Sequence, residues 1–428
     1  MKTIAAVTLG CKVNQYDTEA MLEAFERSGY TIVPFQQQAD VYLVNTCTVT
    51  GTGDQKSLKT VRRAARQHPG SAIIVCGCLA QRESERIAQM EGVKLVLGVQ
   101  RRAEVAELLE KAMREPGALN MVAPLKNIPF EHMVVTRHEG KTRATMKIQE
   151  GCDRYCSYCI IPSVRGPVRS MPMNEVRAEA LRLANAGYPE IVLTGIHLAS
   201  YGRGTPDTLL DAIQAVHNTP GIERVRLGSL EPKVVDAEFA RSLAELPNLA
   251  RQFHLSLQSG SAQVLRRMRR RYTPEEYYEA CEILRRFMPD CAITTDVIAG
   301  FPGETEEEHM ETEEFLQRVA FARIHVFPYS RREGTRADEL DGQLSEAEKQ
   351  SRARRLIAIG NKLEERFVLS LKGTAQRVLF EQPVGEGQAE GYTGSYVRVR
   401  ANATPGTFQW VRIYEVQGAT ALGEAIES

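Results

Sequence analysis

Three cysteines within eight residues carry the sharpest chemical signal in the chain: Gly151-Cys152-Asp153-Arg154-Tyr155-Cys156-Ser157-Tyr158-Cys159. Three thiolates at this spacing can bind three irons of a four-iron cluster and leave the fourth without a protein ligand. Electron-transfer clusters ordinarily take four cysteines, so an open iron suits the binding of a substrate or cofactor. Structural zinc wants a fourth protein ligand, and no further His or Cys lies close by in sequence. The i, i+4, i+7 spacing also suits a helix face, but Gly151, Asp153 and Ser157 favour a loop.

The chain has nine cysteines, an odd number that argues for metal binding or catalysis rather than a disulfide framework. Cys11, Cys47 and Cys78 each follow a predicted parallel strand, at the end where open α/β sheets place their ligand crevice. They can converge in space, although three unrelated buried thiols fit the sequence equally well. Cys281 and Cys291 read as small buried hydrophobes.

The elements that must position these thiols fall into three textures. Residues 1–120 alternate strands (Thr3 to Leu9, Val41 to Asn45, Ala72 to Val75, Val93 to Leu97) with helices, which predicts a parallel sheet covered on both faces. The Pro/Gly-rich stretch 121–141 reads as a linker whose onset is blurred from Glu115, with a strand around Asn120 to Val122. Residues 142–370 hold six strand–helix units, with strands at Ala144 to Gln149, Glu190 to Thr194, Val225 to Leu230, His254 to Gln258, Ile293 to Ala299 and Ile324 to Tyr329. They predict a partial (β/α)6 barrel whose first strand runs directly into Gly151. Residues 371–428 read as a short all-β barrel. The fold class is therefore α/β with a small β module appended.

Length and composition bound the rest. With 428 residues, 43% hydrophobic and 25% charged, the chain is an ordinary globular protein, not a disordered, collagen-like or disulfide-stapled one. Fifty-four basic and fifty-four acidic residues cancel, so a nucleic-acid role would rest on local patches. No run reaches the ~18 apolar residues of a membrane helix. Ile4 to Leu9 is too short for a secretion signal, and Thr8 stands where a lipoprotein signal expects a bulky aliphatic residue. A cytoplasmic protein with reduced thiols is expected.

The CxxxCxxC loop after the first strand of such a barrel resembles the radical S-adenosylmethionine enzymes. Gly10-Cys11-Lys12-Val13-Asn14-Gln15, Asn45-Thr46-Cys47-Thr48-Val49-Thr50 and Gly77-Cys78-Leu79-Ala80-Gln81 narrow the resemblance to the methylthiotransferases. Arg165-Gly166 with Arg169-Ser170, Gln258-Ser259-Gly260, Asp296 to Thr305 and Phe327-Pro328-Tyr329-Ser330 extend it through essentially the whole chain. The resemblance implies two [4Fe-4S] clusters, an S-adenosylmethionine-binding one on Cys152, Cys156 and Cys159 and an auxiliary one on Cys11, Cys47 and Cys78. Cys76 would be a spare thiol, although it competes with Cys78 for the third place. One S-adenosylmethionine would donate methyl and a second would give the radical that takes hydrogen from an unactivated carbon, where sulfur is added.

For the cofactor pocket the resemblance points to Tyr158, Thr194, Gly195, Ile298 and Gly300, and Glu231 and Gln258 end barrel strands and face the same site by position alone. Thr194 and Gly195 also suit a plain βα turn, His197 is either a proton donor or structural, and Met171 departs from the basic residue usual after Ser170. No residue is assigned as catalytic. Three subtypes resemble the chain, acting on isopentenyladenosine in tRNA, threonylcarbamoyladenosine in tRNA, or a ribosomal-protein aspartate. Lys12 to Asp17 and Leu193-Thr194-Gly195-Ile196-His197 are most like the threonylcarbamoyladenosine subtype. The β module resembles the TRAM domain, an RNA-binding barrel. Arg398, Arg400, Arg412, Tyr392, Tyr396 and Trp410 could form its RNA face or an ordinary β surface. Five arginines between Arg266 and Arg271 could contact phosphate or merely end a helix in solvent. The expected partners are tRNA and an electron donor such as flavodoxin or ferredoxin, with the sulfur donor open and no membrane. An iron–sulfur electron carrier that binds RNA without catalysis, and a zinc-binding RNA-interaction protein, are the readings from other classes.

Overall fold

The computed structural model describes residues 2–126, 128–138 and 140–426. The first sheet contains β1 (Thr3–Thr8), β2 (Thr31–Val33), β3 (Val41–Thr46), β4 (Ala72–Gly77), β5 (Val93–Val96) and β6 (Leu119–Asn120) in the order β2-β1-β3-β4-β5-β6, all parallel. β3 and β4 are buried along their whole length, as a sheet covered on both faces requires. Two apolar clusters form its faces, one around Ile4, Leu43 and Leu95, the other around Tyr42, Val44 and Val75. β2 and β6 are edge strands of three and two residues; β2 is too short to leave a periodic signal in the sequence, and β6 lies slightly before the strand expected around Asn120 to Val122.

The helix after β1 is α1 (Lys12–Arg27), which starts at the residue after Cys11. α2 (Gly51–Gln67) follows β3 and is capped by the Thr50 side chain. α3 (Cys78–Arg82) follows β4 without a break.

The central unit has β7 (Arg143–Glu150), β8 (Arg169–Ser170), β9 (Glu190–Gly195), β10 (Arg224–Leu227), β11 (Gln252–His254), β12 (Ala292–Ala299) and β13 (Arg323–Pro328). Two sheets, β10-β9-β7-β8 and β11-β12-β13, are joined only by single parallel bridges such as Leu230–Leu255. The six parallel strands thus run β7-β9-β10-β11-β12-β13 as an open barrel. β8 is an unforeseen antiparallel addition at the cluster-loop end of β7. Its helices after β9, β11, β12 and β13 carry capping boxes at Thr208/Asp211, Thr273/Glu276, Thr305/Glu308 and Ser345/Glu348.

The stretch read as a linker is a strap packed on α1. Met133 and Val135 are buried with Tyr16 and Ala20. The Tyr16 hydroxyl donates to the Met133 carbonyl at 2.6 Å, and the Thr136 and Arg137 N–H groups donate to Glu23. Its prolines and glycines exclude regular structure, not packing.

The C-terminal unit is a closed barrel, β14 (Ala375–Gly385), β15 (Gln388–Tyr392), β16 (Arg398–Asn402), β17 (Phe408–Gln417) and β18 (Thr420–Ile426), ordered β14-β15-β16-β18-β17. It sits on the amino-terminal end of the central strands. Arg224 donates to the Arg377 carbonyl at 2.6 Å, and Arg226 donates to the Thr393 and Gly394 carbonyls at 3.1 Å. Among the described residues no helix is long and apolar enough to cross a membrane.

Candidate active site

Strand register gathers the first cysteine triad. Thr8 pairs with Asn45 and Thr46 with Gly77, so the chain leaves three adjacent strands at one level, and Cys11, Cys47 and Cys78 follow. Two side chains tie the loops. Asn14 donates to the Leu9 carbonyl at 2.7 Å and to the Thr46 carbonyl at 2.9 Å. Thr46 Oγ1 donates to the Cys76 carbonyl and accepts from Ala80 N–H at 3.2 Å. Gly10 has φ +103°, and a Cβ there would lie 3.0 Å from Cys47 Sγ. Cys11 precedes the first residue of α1 and Cys78 opens α3, where helix N–H groups favour anionic sulfur.

Cys76 faces the other way. Its side chain lies in the apolar cluster with Leu43 and Leu95, and burial pushes its thiol far above the ordinary value. Cys78 instead packs against Ile160 and Val164 of the central unit. Burial pushes its thiol up to about 11 despite the opposing charge of Arg165.

The second triad lies in a loop held at both ends. Gly151 has φ +75°, and a Cβ there would meet the Pro167 carbonyl oxygen at 1.8 Å, so only glycine fits. Cys152 N–H donates to the Gly166 carbonyl at 3.1 Å, Ser157 N–H to the Met268 carbonyl at 3.0 Å, and Ala337 N–H to the Ser157 carbonyl at 2.7 Å. Burial pushes Cys159 up to about 12, with the neighbouring Cys156 adding to it. Arg270 Nη1 donates to Cys156 Sγ at 3.2 Å.

Among the described residues, no three His, Cys, Asp or Glu side chains converge tightly enough to hold a single ion. A zinc site needs its ligands around one centre, whereas a cluster takes one thiolate per iron. Three thiols in one loop, and three more on loops leaving adjacent strands at one level, suit a cluster, whose irons each take one thiolate.

Between the triads lies a buried charge network that the sequence did not reveal. Asp17 and Glu150, both about 1% exposed or less, face Arg102, Lys147 and Arg165, equally buried. Lys147 Nζ lies 2.6 Å from Asp17, Arg102 lies 3.0 Å from Glu150, and Arg165 lies 3.1 Å from Asp17 and 2.5 Å from Glu150. Burial alone would raise Glu150, but Arg102, Lys147 and Arg165 hold it well below the carboxylate range. The signals in sequence were Asn14 and Asp17 beside the first cysteine motif, Glu150 directly before Gly151, and the motif arginines Arg165 and Arg169.

The chain has relatives in both sequence and fold. The sequence family described as "Uncharacterized protein family UPF0004" matches residues 3–98, and the Radical SAM superfamily matches residues 146–316. The threonylcarbamoyladenosine tRNA methylthiotransferase MtaB of Bacillus subtilis (strain 168) is 41% identical over 93% of this chain and 90% of its own length. The chain belongs to the radical S-adenosylmethionine methylthiotransferase family. The MtaB of Aquifex aeolicus (strain VF5) is 37% identical over 88% of this chain and 92% of its length. A tRNA-2-methylthio-N(6)-dimethylallyladenosine synthase of Methylacidiphilum infernorum (isolate V4) is 32% identical over 100% of this chain and 96% of its length. In fold the chain is similar to the radical S-adenosylmethionine methyltransferase TsrM of Kitasatospora setae (TM-score 0.56, 14% identity, 76% of this chain and 73% of that one).

The methylthiotransferase pocket residues expected from sequence occupy the barrel end that carries the second triad. Gly195 lies against Gln149, whose Oε1 accepts from His197 N–H at 2.6 Å and whose Nε2 donates to the Gly151 carbonyl at 2.8 Å. Thr194 is buried beside it. Glu231 accepts from Arg154 of the cysteine loop at 2.7 Å and lies 3.4 Å from His197. Burial would raise its carboxyl, but His197 and Arg154 hold it at about 2. Gln258 has φ +73°, and its backbone is clamped between Asp296 and Ile298 by two 2.9 Å hydrogen bonds. That is a non-glycine residue in a strained region, as functional sites often hold. Ile298 and Asp296 share the half-exposed face of β12. Tyr158 meets Phe301 edge-on, with ring centroids 6.4 Å apart. Gly300 has φ +71° and a Cβ there would press on Lys349, so it offers a ligand only its backbone.

Two expected RNA-contacting groups are differently employed. Tyr392 and Tyr396 stack on each other and lie under Arg143, with Arg226 also over Tyr396. They glue the C-terminal barrel to the central one and are not free to stack on bases. Arg398 and Arg400 both pair with Glu390. Trp410 and Arg412 remain exposed, and Tyr414 joins them on the same side of β17. In the arginine run, Arg270 points at Cys156 and Arg267 pairs with Glu308, which leaves Arg266, Arg269 and Arg271 exposed.

Proposed function

We propose that this protein adds a methylthio group to C2 of N6-threonylcarbamoyladenosine next to the anticodon of tRNA. The carrying observation is the likeness to MtaB relatives over nearly the whole chain at up to 41% identity, joined to the packing of Cys78 on Ile160 and Val164, which follow directly on the Cys152–Cys159 loop. In this reading Cys152, Cys156 and Cys159 hold the cluster that takes S-adenosylmethionine, and Cys11, Cys47 and Cys78 hold the auxiliary cluster. When bound, these groups supply the 5′-deoxyadenosyl radical and the sulfur to be inserted.

The chain's own residues bind, orient and exclude. Tyr158, Thr194, Gly195, Glu231, Gln258, Ile298 and Gly300 surround the place for S-adenosylmethionine. Glu231 fixes Arg154, and through it the cysteine loop. Gln149 fixes the turn after β9. Residues 121–141 strap the N-terminal unit (1–120) to the central unit (142–370), and residues 371–428 carry the Trp410–Arg412–Tyr414 stripe toward RNA. The reaction places the protein in the cytoplasm beside tRNA, with a flavodoxin or ferredoxin as electron donor.

Mass spectrometry of tRNA nucleosides tests the reading, in a host with and without this gene. Loss of 2-methylthio-threonylcarbamoyladenosine on deletion supports it. Loss of 2-methylthio-isopentenyladenosine instead would move the substrate to the sister subtype. No change in any methylthio nucleoside would turn attention to a ribosomal-protein aspartate.

A further inference from the structure

Arg165 closes the short helix Ile161–Arg165, which leaves the second cysteine loop and packs on α3. Its guanidinium is fully buried, and every nitrogen is committed. Nε donates to Cys78 Sγ at 3.1 Å, Nη1 to Glu150 and Asp17, and Nη2 to Asn14 Oδ1. A planar guanidinium held at three corners cannot move one corner alone, so Asn14, Asp17 and Glu150 together aim Nε at the sulfur. The surrounding charges do not cancel. Arg102, Lys147, Arg165 and Arg169 face Asp17, Glu150 and Glu131, four cations against three carboxylates. A surplus positive charge in a dry interior is costly unless an anion meets it, and Cys78 is the sulfur Arg165 reaches.

We propose that Arg165 is a positioning residue for the auxiliary cluster, donating an N–H to Cys78 Sγ and thereby raising that cluster's reduction potential. The inference rests on the assignment of Cys78 as a cluster ligand. Hydrogen bonds to cysteine sulfur and nearby positive charge stabilise the more negative, reduced form of a cluster. Arg270 makes the matching contact at the other triad, 3.2 Å from Cys156. The chain therefore adjusts its two clusters with two separate guanidiniums.

The test is an EPR-monitored redox titration of the full-length protein loaded with both clusters. The auxiliary signal is identified from a chain in which Cys152, Cys156 and Cys159 are replaced by alanine. Arg165→Gln should shift the auxiliary potential to more negative values and leave the other cluster unmoved. Arg165→Lys, which keeps charge but loses the fork, should shift it less. Arg270→Gln should do the reverse, moving only the radical cluster. Should the Arg165 variants fail to fold, Asn14→Ala releases one corner of the fork and should give a smaller shift of the same sign. An unmoved auxiliary potential in loaded Arg165→Gln, or in Asn14→Ala where that variant stands in, overturns the inference. Full auxiliary iron in Cys78→Ala would instead overturn the ligand assignment beneath it.

Discussion

Arg332 Nη2 lies 2.6 Å from the Asp54 carboxylate, joining the segment after the last central strand to the first turn of α2, just beyond Cys47. The same guanidinium donates to Thr48, and Ser330 Oγ accepts from Gly51 N–H at 3.1 Å. Further along the segment, Ala337 N–H holds the Ser157 carbonyl between Cys156 and Cys159. One stretch of chain thus grips both cysteine loops and spaces them. Arg332 is buried and Asp54 half-buried, so removing the guanidinium leaves Asp54 with Arg82 at 3.6 Å and loosens this joint. Arg332→Ala should therefore lower thermal stability and uncouple the sites. Methylthiolation should fall much further than 5′-deoxyadenosine release, both read from one reaction mixture; an equal fall in the two would remove the spacer role.

The triads should separate by phenotype. Cys152→Ala, Cys156→Ala or Cys159→Ala should abolish both 5′-deoxyadenosine release and modification. Cys11→Ala, Cys47→Ala or Cys78→Ala should spare the first and abolish the second. Cys76→Ala should leave both intact and cost ~1 kcal/mol for a small cavity. If Cys76→Ala lost modification while Cys78→Ala kept it, the third ligand would be Cys76.

How much of this was legible depended on periodicity. The six central strands and the CxxxCxxC loop could be read because strands such as β9 and β12 are largely apolar between amphipathic helices and the three cysteines lie close together in sequence. Within the C-terminal barrel, β15 and β18 leave little strand signal because they contain Gly391 and Gly423, whose bare α-carbons let neighbouring strands approach. The strap over α1 was missed because prolines hide packing that follows no period. The Asp17–Glu150–Arg165 network was invisible for another reason. Its members lie far apart in sequence, and a buried ion pair looks the same in sequence as a solvated one.

Glycine at Gly10 is a second kind of positioning residue. A side chain there meets both a left-handed backbone and the Cβ of Cys47 at 2.9 Å. Gly10→Ala should displace Cys47, and iron analysis should show loss of the auxiliary cluster with the radical cluster retained. Full iron content at both sites would contradict the close approach.

Glu190 makes docking of the C-terminal barrel acid-sensitive. It pairs with Arg224 and Arg226, the residues that hold that barrel's backbone. Burial would raise its carboxyl, but Arg226 and Arg224 outweigh burial and depress it. A depressed carboxylate contributes stability above its unfolded value of about 4.3, and this is lost as pH falls through the folded value. Hydrogen exchange should show the C-terminal interface loosening below about pH 4, earlier than the N-terminal sheet. In Glu190→Gln the interface should be loose at neutral pH already. Identical exchange in the variant and the parent would refute the coupling.

The exposed arginines are the remaining candidates for tRNA contact, and the structure changes which ones to test. Reversing Arg270 would disturb Cys156, so it cannot report on RNA. Arg266→Glu, Arg269→Glu and Arg271→Glu together leave both triads untouched. Each lost phosphate contact lowers the slope of log affinity against log salt by about 0.7 to 0.9. The triple variant should bind tRNA more weakly and with a shallower salt dependence, while 5′-deoxyadenosine release stays normal. Arg412→Glu on the β17 stripe should act in the same direction and additively, since it lies on a separate unit. Unchanged affinity and slope in the triple variant would leave those arginines as a solvated helix end and give the contact to β17.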